Sequence, residues 1–245
     1  MSKIVVLNSG GFDSVVLMNF LHTLEGEREI FSLHFIYGAR NAKQQEACVD
    51  KVCEKCGAVN TKINLPPFSW TKNNFYEDNW EYETQYLEYR NLIFLSYALS
   101  YAQSIGADRI YLATLKSGNY PDTSEVFFKG LNSFSVPLTN IEIITPFSHI
   151  EDKSEMLQYA ILTGVKVGDY FSCDTPLENG ERCGECLDCK SLDVVDEYLS
   201  LNHPFKALYQ SDWNYEDKTF IKQLRVIPNN REVRALINNM CQLRC

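Results

Sequence analysis

The chain has 245 residues, of which 45% are hydrophobic, and a formal net charge of −9. That length and apolar content suffice for one α/β domain with a small appendage. The acidic balance excludes the all-over basic footprint of a protein that grips long nucleic acid through its phosphates, and no stretch reads as a membrane span or secretory leader, so a cytoplasmic protein is expected.

In chain order, short β-branched or aromatic runs alternate with longer stretches of helical period. "KIVVLN" (3–8) ends at a Ser-Gly-Gly turn and a helix begins near Ser14. "IFSLHFIY" (30–37) is followed by a helix from near Asn41 and then by "TKINL" (61–65). A helix from near Tyr89 precedes "RIYLAT" (109–114), one from near Pro121 precedes "IEIITP" (141–146), and another starts at Lys153. This alternation predicts an α/β fold with a doubly wound, mostly parallel, Rossmann-like sheet and ligands at the carboxyl ends of its strands. One segment breaks the pattern. "PPFSWTKNNFYEDNWEYETQY" (66–86) has no period and many aromatics, and reads as an ordered excursion near the site. Residues 1–170 are expected to form the nucleotide-binding domain and 171–200 a cysteine-rich segment with a helix. The remainder, 201–245, is a C-terminal extension packing on the same domain. From Lys218 to Cys245 the basic residues are Lys218, Lys222, Arg225, Arg231, Arg234 and Arg244 against Glu232 alone, which reads as a solvated terminal helix.

The first turn carries chemistry. A strand ending at Asn8, then Ser9, Gly10, Gly11, Phe12, Asp13 and Ser14 opening a helix, puts backbone N–H groups at the positive end of a helix dipole. Glycines let the main chain approach a phosphate, and the Ser9 and Ser14 hydroxyls add donors. Asp13 would repel that anion unless a Mg²⁺ ion intervened or the residue capped the helix. The plain alternative is a tight strand-to-helix turn.

In a reducing compartment the nine cysteines are read for metal or redox work rather than as disulfides. Cys183, Cys186 and Cys189 form a C-x-x-C-x-x-C run, and Cys173 lies a short loop upstream, so four thiolates can converge on one tetrahedral ion. Zinc is the favoured occupant and an iron–sulfur cluster the alternative; with four protein ligands the metal is structural. Cys53 and Cys56 lie in a helical stretch closed by Gly57 and read as packing residues, as do Cys241 and Cys245. His22, His34, His149 and His203 show no ligand spacing.

The Ser-Gly-Gly-x-Asp-Ser string resembles the pyrophosphate loop of the ATP pyrophosphatases. Over nearly all of residues 3 to 200 the chain resembles the 7-cyano-7-deazaguanine synthase family of queuosine biosynthesis. The resemblance rests on "SGGFDS", "IYGARNAKQQE", "YRN" (89–91), "YPDTSEVFFKGLN", "DKSE" (152–155) and the four cysteines. It implies an ATP-dependent carbon–nitrogen ligase that adenylates the carboxylate of 7-carboxy-7-deazaguanine, lets ammonia attack, and dehydrates the amide to the nitrile. Under it, Ser9, Gly10, Gly11, Phe12, Asp13 and Ser14 hold the pyrophosphate of ATP and its Mg²⁺, with Asp13, Arg90 and Lys153 as catalytic residues. Asp122 reads a guanine-like edge, Tyr37, Tyr120 and Phe127 form an apolar platform, and Cys173, Cys183, Cys186 and Cys189 bind zinc. Taken singly, Arg90 can begin a helix, Asp122 can cap one, and Lys153 can be solvated.

The chain also departs from the family pattern. Ala39 and Asn41 replace Gln and His, Glu88 and Tyr89 replace Pro-Gly, and Thr123 and Ser124 replace Cys and Arg. The departures leave two further readings open: a diverged paralogue, of a kind found in defence or DNA-modification gene sets, that attaches a deazaguanine to a protein or nucleic-acid amine; and a nucleotide-binding subunit without turnover. The expected partners are the deazaguanine acid, ammonia, a second copy of the chain in a homodimer, and in the paralogue case a protein encoded beside it; neither a membrane nor long nucleic acid is expected.

Overall fold

The computed structural model describes residues 2–24, 28–68, 87–116 and 120–200, and two further strands at 207–214 and 219–226. Strands β1 (Ser2–Leu7), β2 (Arg28–Ile36), β3 (Val59–Asn64), β4 (Arg109–Tyr111) and β5 (Glu142–Ile144) form one sheet. Every pairing is parallel, in the order β3-β2-β1-β4-β5. The chain leaves β1 towards β2 and later returns on its other side to lay down β4. The crevice at the carboxyl ends of β1 and β4 is therefore the topological switch point, where such sheets bind ligands.

Alternation along β1 divides two cores. Ile4 and Val6 join helices α1 (Phe12–Thr23), α2 (Ala42–Cys56), α5 (Lys153–Leu162) and α6 (Leu187–Ser200) on one face, whereas Val5 and Leu7 join α3 (Arg90–Ile105) and α4 (Glu125–Thr139) on the other. Burial on both faces explains why the strands read as continuous apolar runs. Helix α1 is buried around nearly its whole circumference, from Phe12 to Leu21, because the sheet, α2 and α5 enclose it.

The elements follow the expected order, with local differences. Helix α1 begins at Phe12, before Ser14. The stretch expected from Pro121 divides into a 3₁₀ turn, Pro121–Thr123, and α4; extended Ser124 stands between them, and its hydroxyl caps α4 by accepting from the Phe127 amide at 3.2 Å. The basic tail is not helical at its start. Thr219–Val226 is a strand, β7, paired antiparallel with β6, Ala207–Asn214. β-Branched and aromatic residues open that stretch, and a partner strand is present, which together override its charge pattern. Residues 69–86 of the aromatic excursion, His203, and the tail from 227 with Cys241 and Cys245 lie outside the described residues. Among those described, no helix is long and apolar enough to cross a membrane.

Two backbone positions bear on the site. Tyr89, just before α3, adopts φ +52°, a left-handed conformation that costs a residue with a Cβ about 1 kcal/mol. Gly10 has φ +78°, and a Cβ there would stand 2.2 Å from the backbone oxygen of Gln45 in α2. Gly57, at the end of α2, is also left-handed, at φ +61°, but open space surrounds it. Gly57→Ala is expected to cost about 1 kcal/mol and Gly10→Ala about 3 kcal/mol, because the second collides with main chain as well as with its own dihedral preference. Denaturant midpoints of the two variants check this; equal losses would show that α2 gives way.

Candidate active site

The Ser9–Ser14 loop is held by side chains that reach its amides. The Asn8 Oδ1 accepts from Gly10 N at 3.1 Å, the Ser9 hydroxyl from Gly11 N at 3.2 Å, and the Ser172 hydroxyl from Phe12 N at 2.8 Å. The hydroxyls of Ser9 and Ser14 meet at 3.0 Å. Amides expected to be free are thus kept in place by short polar side chains. Asn8 is itself fixed to β2, donating to the Ser32 hydroxyl at 3.1 Å, and its carbonyl lies 2.9 Å from His34 Nδ1.

A cavity of about 260 Å³ opens beside the loop. Its lining includes Ser9, Gly11, Asp13 and Ser14 of the loop, Tyr37, Arg90, Asn91 and Phe94, and Lys153, Ser172, Asp174 and Asp188. Ionisable groups are concentrated here. Burial pushes the Asp13 carboxyl up to about 6, against the pull of the Lys153 ammonium, and its Oδ1 has no hydrogen-bond partner. Burial alone would lower Lys153, but Asp188, which pairs with it directly, and Asp13 outweigh that and push it up to about 12. Burial, reinforced by Asp188, pushes Asp174 up to about 8. Half-buried Arg90 donates to the Tyr37 hydroxyl at 3.3 Å, and the tyrosine oxygen strengthens its hold on its proton.

Of the residues expected from the sequence, Ser9, Gly11, Asp13, Ser14, Tyr37, Arg90 and Lys153 meet at this cavity. Gly10 shapes the loop from behind, and the Phe12 ring is buried edge-on against Tyr170 at 4.9 Å. Asp122, Tyr120 and Phe127 are not part of the lining. The Asp122 Oδ2 accepts from the Asn91 amide at 2.8 Å, capping α3, while Phe127 packs on Phe128 and the sheet. The aromatic wall is instead Tyr37 with Phe94, centroids 5.4 Å apart, and Phe35 stacked on Phe94 at 4.3 Å. Sequence reasoning missed Ser172, Asp174 and Asp188. Their one signal is adjacency: they flank Cys173 and lie between Cys186 and Cys189.

The Sγ atoms of Cys173, Cys183, Cys186 and Cys189 lie within 4.8 Å of one another, with Cys183 and Cys189 at 3.9 Å. Four sulfurs on a tetrahedral ion at a bond length of about 2.3 Å stand about 3.8 Å apart, so the set fits. The amides of Cys183, Cys186 and Cys189 donate to cluster sulfurs at 3.3–3.4 Å, as suits thiolate charge. Among the described residues no other such group converges. Cys53 and Cys56 are buried in α2, where burial raises both thiols, Cys56 to about 11.

Comparison with known proteins finds relatives of the sequence. The family model described as "Queuosine biosynthesis protein QueC" matches residues 3–193. A 7-cyano-7-deazaguanine synthase of Nautilia profundicola is 32% identical over 207 residues, covering 78% of this chain and 91% of the relative. One of Rickettsia bellii is 33% identical over 211 residues, covering 77% and 91%. Among solved structures, the U34-tRNA thiolase NcsA of Methanococcus maripaludis with its [4Fe-4S] cluster aligns with a TM-score of 0.48 at 17% identity, over 83% of this chain and 68% of that one. Matched over most of its length, loop and cysteine cluster included, the chain belongs to the QueC family of queuosine biosynthesis proteins and is an enzyme of that family.

Proposed function

We propose that the chain uses ATP to activate the carboxylate of 7-carboxy-7-deazaguanine and passes the acyl group to ammonia, giving the amide and then the nitrile. The carrying observation is that two largely enclosed cations line one cavity and have different direct partners, a carboxylate for Lys153 and a hydroxyl for Arg90. Lys153 stands by the Ser9–Ser14 loop among the carboxylates of Asp188 and Asp13. Arg90 lines the same cavity, donates to the Tyr37 hydroxyl at 3.3 Å and also feels the carboxylates of Asp174 and Asp122.

Each cation then suits one anion. Pyrophosphate leaves into the loop, where Ser9, Ser14 and Lys153 receive it, and the acid's carboxylate lies at Arg90 with its ring on the Tyr37–Phe94 wall. A carboxylate oxygen bonds to the α-phosphorus as the bond to pyrophosphate breaks. Ammonia then forms the C–N bond and AMP departs with the electron pair. A second ATP then adenylates the amide oxygen with release of pyrophosphate, and the nitrile forms as AMP carries that oxygen away and the two N–H protons are lost. Mg²⁺ accompanying ATP would neutralise its phosphates, and Asp13, with an unpartnered buried oxygen, is the residue suited to meet it. The four cysteines hold one structural zinc.

Incubation with ATP, ammonia and 7-carboxy-7-deazaguanine is expected to yield AMP, pyrophosphate and, by mass spectrometry, the amide or nitrile. Production of ADP and phosphate alone would refute adenylation.

Asp13→Asn is expected to stop pyrophosphate release yet stabilise the protein at pH 7. The native carboxyl titrates near 6 but an unfolded one near 3.8. Folding is therefore opposed by the charged form above that window, by about 3 kcal/mol, and the opposition vanishes as pH falls towards 4. Thermal melts of both proteins across pH 4–7 test the sign; a variant less stable at pH 7 contradicts it.

Elemental analysis is expected to find one zinc per chain, lost in Cys186→Ser with several kcal/mol of stability. Full zinc and an unchanged melt in that variant would refute the four-cysteine assignment.

A further inference from the structure

Lys153 occupies a position that local rules oppose. It is the first residue of α5, next to the cap Asp152, whose carboxylate accepts from the Ser154 and Glu155 amides at 2.9 and 3.2 Å. A helix amino terminus carries partial positive charge, so an ammonium there is repelled by its own helix. Its side chain is only 12% exposed, so water does not offset that repulsion. A four-carbon stem also has many rotamers and no intrinsic reason to aim at the loop.

What places the ammonium comes from elsewhere in the chain. Asp188, on the first turn of α6, pairs with it directly. Asp188 lies between Cys186 and Cys189, both fully buried, whose sulfurs belong to the four-cysteine set. The backbone behind that set is anchored as well. The Arg182 guanidinium donates to the Cys189 carbonyl at 3.1 Å and pairs with Asp196, and Asn41 Nδ2 donates to the Cys173 carbonyl at 2.9 Å. The carboxylate opposite Lys153 thus has little freedom to move while the cluster is closed.

We propose that Asp188 is a positioning residue: it fixes the Lys153 ammonium beside the Ser9–Ser14 loop, and the metal-bearing cysteine cluster fixes Asp188. The cluster then does more than hold the chain after the sheet together. It sets the location of a charge in the reaction cavity. What Lys153 does there rests on the adenylation reading above; what holds Lys153 does not.

The test therefore has two independent readouts, chemical labelling of Lys153 and pyrophosphate release. Limited acylation with an amine-reactive reagent, quantified by peptide mass spectrometry, compares Lys153 with exposed Lys129 as internal reference. In Asp188→Asn the relative labelling of Lys153 is expected to rise about fivefold, with metal content unchanged, because the ammonium loses its partner. Stripping the metal from wild type with a chelator is expected to raise it similarly. Pyrophosphate release by Asp188→Asn is expected to fall about tenfold in kcat with a smaller change in the KM for ATP, and Asp188→Glu to recover part of the loss. An unchanged labelling ratio in Asp188→Asn, or loss of its metal, overturns the assignment of Asp188; an unchanged ratio in the stripped protein overturns the part given to the cluster. If wild type releases no pyrophosphate, the adenylation reading fails and the labelling ratio alone decides the proposal.

Discussion

The structure depends on one docking contact between distant parts of the chain. The Phe171 amide donates to the Gly10 carbonyl at 2.9 Å, and one residue later the Ser172 hydroxyl receives the Phe12 amide at 2.8 Å. Through these bonds the strand-to-helix turn and the segment leading into the cysteines become one piece. Gln45 of α2 adds a third strand of attachment by donating to the Phe171 carbonyl at 3.3 Å. The close approach of α2 to the turn is possible because residue 10 has no side chain: a Cβ there would run into the Gln45 main chain.

Charge is arranged around that contact against local preference. A carboxyl with no partner for one oxygen and an ammonium at a helix amino terminus are each unfavourable alone. Together, with Asp188 and Asp174 nearby, they offset part of one another's cost without cancelling it. Stability conceded in this way marks a functional cavity, where local rules and global purpose part.

Much of this was legible before any fold was known. The run from Asn8 to Ser14 announces a loop between a strand and a helix, the spacing of four cysteines announces a metal set, and five apolar runs separated by helical periods announce the parallel sheet. What the sequence concealed has physical causes. Asp174 and Asp188 are ordinary acidic residues until the cysteines between which they lie are folded against the loop. Asp122, expected at a base, is taken up by the Asn91 amide, a tertiary partner 31 residues away. The β7 strand, hidden under basic residues, exists because β6 pairs with it. At Tyr89, where the resembling family carries glycine, the left-handed backbone is retained without the residue that would hold it at least cost.

The separation along the chain of the two docked segments carries a consequence in time. Phe12 waits for Ser172, 160 positions later, before its amide is satisfied. Contacts so remote form late, since a long loop must close before they contribute. During synthesis the amino-terminal turn emerges first and is completed among the last. A nascent chain that has made β1, α1 and even the whole five-stranded sheet still lacks the partners of its Ser9–Ser14 turn, which arrive only once the segment leading into the cysteines has left the ribosome and folded back on its beginning.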